Sequence, residues 1–397
     1  MTQLSSASDA LALNERGMRA LVAGDRAAAV DALRRAIALE PRRLAIWLNL
    51  AAAQRASSDI EGALSSIDEA LKLDPRHFMA LLSKASLLER TGAGKQAATA
   101  YGVALTQAPP DSVLDPHTLK AVQHARDLNS RHVEELEAYI HDELAEMRGQ
   151  SLPAEAKRID DFVGNVLGRR KNYRQDPAQF FYPGLPAIEF YERDHFPWLT
   201  DLEAATDAIR KEFLDALAAD VDHFVPYIDY PDTIPVDQWA TLNHSREWSA
   251  YHLILQGVVV EEAARRCPKT MNTVGLLPQP QVRGKSPAAM FSALRPRTRI
   301  PPHTGIANTR LVVHLPLIVP EGCGFRVGNE TRQWREGHAW VFDDTIEHEA
   351  WNNSDQLRTI LICDIWNPNL TEAERALIGQ VMTAMDVFNE TTTNAGL

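Results

Sequence analysis

Cysteine is scarce: the 397 residues hold three, Cys267, Cys323 and Cys363. Thiols so few and so scattered exclude a disulfide framework and a cysteine zinc cluster. There is no excess of positive charge either. Lys and Arg total 41 against 53 Asp and Glu, a net charge of −12, which argues against a general grip on nucleic acid or on an anionic membrane. Long apolar runs are missing. The longest, 311–320, is interrupted by His314 and Pro316, whereas a membrane-spanning helix needs about 20 apolar residues. The opening Met1-Thr2-Gln3-Leu4-Ser5-Ser6 shows no basic segment followed by an apolar stretch, so no secretory signal is expected. What is present is an ordinary globular composition, 45% hydrophobic and 24% charged, in a chain long enough for roughly two or three domains. The expected setting is cytoplasmic, with no nucleic-acid or membrane partner.

The N-terminal third repeats itself. Pro41, Pro75 and Pro109 are spaced by 34, and the same step links Ala36, Ala70 and Ala104 as well as Ala29, Ala63 and Ala97. Larger residues recur at Leu33, Ile67 and Tyr101, and small ones at Gly17, Ala51 and Ala85. The pattern suits a pair of packed helices per repeat: small residues allow close approach, the larger one fills the groove, and proline punctuates the following turn. It resembles the tetratricopeptide repeat, with Trp47 and Leu50 at further consensus positions of the second copy. Three repeats over 10–110 predict an α-helical solenoid whose groove receives a peptide or partner. Residues 111–175 read as capping and linker helices. One or two amphipathic helices are expected over 116–148, from Leu119, Val122, Val133, Leu136 and Ile140, then a break at 149–153 and a helix near 154–170.

Residues 176–397 change character. A helix near 200–219 precedes short strand-like runs near 250–257, 288–295, 310–318, 324–327, 331–335, 338–343 and 357–366. Turn signals such as Gly328-Asn329, Glu336-Gly337 and Asn352-Asn353-Ser354-Asp355 separate them. Regular short strands predict a sandwich or jelly-roll barrel. A last helix is expected to begin at Thr371, which forms a capping-box pattern with Glu374. Along 310–317, Leu311, Val313, Leu315 and Leu317 form one apolar face, which leaves His314 on the other beside Val312. His348 and Arg358 flank the 352–355 turn, so a hairpin would bring them within a rung or two, where diagonal neighbours lie about 7–8 Å apart.

Pro302-His303-Thr304-Gly305, then Arg310 and His314, then 342–349 (Phe-Asp-Asp-Thr-Ile-Glu-His-Glu), then Arg358 and Asp364-Ile365-Trp366 resemble the aspartyl/asparaginyl β-hydroxylase family in order and near spacing. The resemblance covers roughly 180–370, and animal members of that family also carry tetratricopeptide repeats ahead of the oxygenase. It implies a multidomain α + β chain: a helical repeat solenoid followed by a double-stranded β-helix, or jelly-roll, that uses iron(II), 2-oxoglutarate and O2. His303 and His348 would be the iron ligands. Ser292 and Arg358 would hold the distal carboxylate of 2-oxoglutarate, His314 its other end, and Trp248 would lie near that cosubstrate. Where related oxygenases place a ligating carboxylate two residues after the first histidine, this chain has Gly305. Water or another carboxylate must serve instead, and Asp344 is the candidate to hold that water. The implied reaction is hydroxylation of a protein or peptide side chain, at the β-carbon of an aspartyl or asparaginyl residue. The alternatives are the same chemistry on a small molecule or lipid, halogenation with chloride beside Gly305, and a non-catalytic adaptor. In the animal enzymes, as the resemblance aligns them, basic residues stand where this chain has Val312 and Met290, so an uncharged target is expected to compete well with aspartyl.

Overall fold

A computed structural model describes residues 2–233, 235–282 and 284–394. The chain divides into two units, Met1–Leu167 and Gly168–Leu397.

In the first unit, helices pair as α1 (Thr2–Val22) with α2 (Arg26–Leu39), α3 (Leu44–Ala56) with α4 (Ile60–Leu73), and α5 (Phe78–Arg90) with α6 (Gly94–Leu105). The small and large columns meet as their spacing demands. A Cβ placed on Gly17 would lie 2.6 Å from Leu33 Cγ, and Leu33 is fully buried. Gly17→Val is therefore expected to push α1 off α2 and to destabilise this unit by about 1–3 kcal/mol, the usual cost of overpacking. Urea unfolding followed by helical circular dichroism measures it. Trp47 Nε1 donates to the Pro41 carbonyl at 2.8 Å, tying the second repeat's first helix to the turn before it. A further column of the same period was not anticipated: Gly24, Ser58 and Gly92 all have positive φ, at 84°, 64° and 78°, and each reverses the chain between paired helices. Where one or two helices were expected, a single 34-residue helix, α7 (Pro116–Gly149), packs Ala125 against Tyr101 and Ala104. Next, α8 (Pro153–Val166) stops just before Gly168, which takes φ +68°, as helix ends favour.

The second unit is built on antiparallel strands: β1 (Phe190–Tyr191), β2 (Val225–Pro226), β3 (Trp248–Leu255), β4 (Val258–Val259), β5 (Ala289–Leu294), β6 (Thr298–His303), β7 (Arg310–Ile318), β8 (Cys323–Val327), β9 (Glu330–Arg332), β10 (Trp340–Phe342), β11 (His348–Asn352) and β12 (Arg358–Trp366). Among the described residues they form an eight-stranded sheet, ordered β1-β10-β7-β12-β5-β3-β2 with β4 beside β3, and a four-stranded sheet, β6-β11-β8-β9. One core, containing Trp248, Leu294 and Val312 of the large sheet with Ile300, Phe325 and Ala350 of the small one, joins the two facing surfaces. The other face of the large sheet, carrying Leu311, Val313, Leu315 and Leu317, is covered by α9 (Leu199–Ala204), α10 (Thr206–Ala219), α11 (Glu261–Arg266) and α12 (Pro268–Val274). So the face assigned to packing does pack, and His314 turns the other way, between the sheets. The last helix, α13 (Glu372–Asn394), starts as expected: Thr371 N donates to Glu374 Oε2 at 2.7 Å, and Glu374 N donates to Thr371 Oγ1 at 3.3 Å. Among the described residues no helix is long and apolar enough to cross a membrane.

Two expectations need correction. The strand reading omitted β6 and β11, besides the two-residue β1, β2 and β4. Pro301 and Pro302 disguise β6, yet it is an edge strand paired only with β11, where a missing N–H is tolerated. In β11 the charge of Glu349 looks unlike a strand interior, but Arg299 Nε of β6 (3.1 Å) and Arg326 Nε of β8 (2.6 Å) neutralise it from both sides. The hairpin also does not form. β11 belongs to the small sheet and β12 to the large one, so His348 and Arg358 look at each other across the sandwich rather than along one ladder.

Candidate active site

Between the sheets lies a cavity of about 510 Å³ that every anticipated site residue lines: Trp248, Ser292, His303, His314, Asp344, His348 and Arg358. Strand register explains the meeting. His303 and His348 are direct cross-strand partners on β6 and β11, and their ring centroids are 4.0 Å apart. On the facing sheet Ser292 sits opposite Ile360, and His314 opposite Ile362, which spaces Arg358, His314 and Asp364 along one surface.

Each imidazole of the pair is fixed by its own strand. His303 Nδ1 lies 2.8 Å from the Pro301 carbonyl and His348 Nδ1 3.0 Å from the Ile346 carbonyl. A carbonyl only accepts, so Nδ1 carries the proton and Nε2 keeps its lone pair. Burial favours the uncharged ring in both, pushing His303 down to about 3, with its neighbour His348 adding to the effect, and His348 down to about 4. Two neutral imidazoles with free Nε2 lone pairs are a donor set for a transition metal such as iron(II). Among the described residues no third His, Cys, Asp or Glu joins them in a ligating group.

Gly305 is small for a visible reason. A Cβ there would fall inside the Asp344 carboxylate, so the space after the first histidine is filled by an acid reaching in from the segment before β11. Asp344 Oδ2 is 3.4 Å from Arg310 Nη2, while Oδ1 has no partner although it is buried. Burial raises the Asp344 carboxyl, with Arg310 opposing and Asp364 adding to the rise. Burial likewise works against the Arg310 charge, but the Asp344 and Asp364 carboxylates outweigh it and hold the guanidinium protonated.

At the other end, Arg358 is 1% exposed, yet its Nε and Nη1 make no hydrogen bond. Its guanidinium lies 5.4 Å from the Trp334 ring centroid. Burial lowers its pKa only to about 10, so it stays charged at neutral pH. A buried cation left unpaired costs several kcal/mol, a cost that an anion entering the cavity would relieve. Ser292 Oγ accepts from Trp248 Nε1 at 3.0 Å, which leaves its own proton to donate into the cavity. His314, its Nδ1 also without a partner and its charge disfavoured by burial and then by Arg358, lies between these ends.

Sequence reasoning missed the aromatic supports. Tyr227 stacks on Trp248 at 3.7 Å, and Trp239 meets His303 edge-on at 5.0 Å. Both come from outside the long strands, as does Trp334, and no periodicity marks them.

This donor pair and the unpaired guanidinium lie in the part of the chain that comparison with known proteins picks out. Residues 203–368 match the family described as Aspartyl/Asparaginyl beta-hydroxylase. It is 34% identical over 182 residues to the human aspartyl/asparaginyl beta-hydroxylase, covering 45% of this chain and 24% of that protein. It is 33% identical over 216 residues to the human aspartate beta-hydroxylase domain-containing protein 2, covering 53% and 56%. Over 188 residues it is 34% identical to the ornithine lipid ester-linked acyl 2-hydroxylase of Rhizobium tropici, covering 47% and 62%. The chain thus spans less than two thirds of each relative's length. Its helical part superposes on the Arabidopsis OM64 TPR domain with a TM-score of 0.28 and 20% identity, covering 32% of this chain and 98% of that one.

Proposed function

We propose that the chain is an iron(II)- and 2-oxoglutarate-dependent hydroxylase acting on a protein or peptide side chain. The observation that carries this reading is the buried, unpaired Arg358 guanidinium in the same cavity as two neutral, lone-pair-bearing imidazoles. His303 and His348 would hold iron. Arg358 and Ser292 would receive the distal carboxylate of 2-oxoglutarate, the first by a charge-assisted fork, and His314 would contact its other end. When bound, iron, 2-oxoglutarate and O2 supply the oxidation of a C–H bond, with succinate and CO2 as co-products. The protein's own part is to orient the cosubstrate between Arg358 and the histidines, to stiffen Trp248 against Tyr227, and to exclude bulk water between the sheets. Asp344, with one oxygen unpartnered, would hold a water where Gly305 offers no side chain. The two facing antiparallel sheets are read as a double-stranded β-helix, and the helical repeats as the surface that presents the target.

The relative that hydroxylates an ornithine lipid acyl group supports a second reading, the same chemistry on an acyl chain, and the apolar Val282, Ile306 and Met382 in the cavity wall suit it. Halogenation fits less well: the Asp344 carboxylate fills the space beside Gly305 and would repel chloride.

The deciding experiment is anaerobic purification, loading with iron(II), and detection of succinate after addition of 2-oxoglutarate and O2, followed by mass spectrometry of candidate products. Gly305→Ala is expected to displace the Asp344 carboxylate and lower turnover roughly tenfold to a hundredfold, the usual cost of losing a group that orients a metal site. Steady-state kinetics should show the 2-oxoglutarate affinity almost unchanged, because Arg358 is untouched.

A further inference from the structure

We propose, resting on the reading above, that the cavity selects an uncharged, hydrogen-bond-donating side chain, such as the asparaginyl carboxamide, and discriminates against a carboxylate. Among the described residues, the cations lining the cavity are Lys285, Arg310 and Arg358. Lys285 Nζ is paired to Asp386 Oδ1 at 3.0 Å. Arg310 lies between two acids, 3.4 Å from Asp344 and 3.5 Å from Asp364. Asp364 is also held by Ser286 Oγ and by Ala288 N, both at 2.8 Å, so it is anchored in place. Arg358 is the socket for the cosubstrate. No described cation is left to meet a substrate carboxylate.

The end of the cavity beyond the histidines is in fact over-supplied with acid: one guanidinium faces two buried carboxylates. A third carboxylate brought there would be desolvated beside like charge, which is strongly unfavourable. A carboxamide carries no charge, and its NH2 can donate to Asp344 Oδ1 either directly, since a carboxylate oxygen accepts more than one hydrogen bond, or through the water that oxygen would hold. The neighbouring wall positions are neutral. Val312, the register partner of Asp364, and Met290 both line the cavity and offer no counter-charge.

The test uses the full chain loaded with iron(II) and two matched pools of short peptides with randomised flanks, one with Asn fixed at the centre and one with Asp. Hydroxylation by mass spectrometry, succinate release, and binding of each pool to iron-free protein by calorimetry are read in parallel. Wild type is expected to favour the Asn pool by about tenfold or more in kcat/KM and in the same direction in affinity. Val312→Arg, or Met290→Lys should the first variant not fold, should narrow that ratio about tenfold. Equal use of the pools within about threefold, or preference for Asp, overturns the inference while leaving the hydroxylase reading standing. Succinate formation with neither pool hydroxylated or bound overturns the peptide target and the inference with it. No succinate under any condition overturns the oxygenase reading itself.

Discussion

Changing His303 or His348 to Ala is expected to abolish both retention of iron(II) and turnover of 2-oxoglutarate. The two rings face each other at 4.0 Å across β6 and β11, and among the described residues no third His, Cys, Asp or Glu joins them in a ligating group. The loss should therefore exceed the roughly tenfold to hundredfold drop that follows removal of an outer contact to a metal site. Metal content after anaerobic desalting reads the first effect and succinate release the second. Near-native turnover in both single variants would remove the metal assignment. The fold should survive, because the rings are held by backbone groups, His303 by the Pro301 carbonyl and His348 by the Ile346 carbonyl, which their loss leaves in place.

Arg358→Ala is expected to weaken 2-oxoglutarate binding by about 3–5 kcal/mol, the cost of removing one partner of a buried ion pair, or roughly two to four decades in Kd. Without cosubstrate the same change removes an unpaired buried charge, so the free protein should lose little stability. That combination separates a binding role from a structural one. Calorimetric or tryptophan-fluorescence titration measures the affinity, with Trp334 beside the guanidinium as a reporter; a shift under about threefold would sink the role. Ser292→Ala should act in the same direction but more weakly, by about 0.5–1.5 kcal/mol, since one neutral hydrogen bond is lost.

The 34-residue period was legible because helix pairing is local. Gly17 and Leu33 are neighbours within one repeat, so a small and a large column suffice to announce their contact. The alternation along 310–317 was legible for the same reason: a strand's period of two assigns faces without reference to any partner, and His314 duly points away from the packed face. Motif order picked out seven residues that the fold then brings to one cavity.

What the chain's pattern could not disclose was everything that depends on which strand meets which. Periodicity says which face a residue occupies but not the sheet its strand joins, and so β11 and β12, adjacent in sequence, part to opposite sheets. The prolines of β6 are acceptable only because that strand is an edge, and the charge of Glu349 only because Arg299 and Arg326 flank it; both conditions exist only after assembly. Asp344 reaching into the space of Gly305, and Arg310 held between Asp344 and Asp364, are likewise meetings of distant segments. Residue types and their order were settled by the sequence itself. The neutrality of the histidines, the empty hands of Arg358 and the spent charge of Arg310 were decided by tertiary structure, because burial and pairing set the energy of a charge and neither is a property of a residue alone.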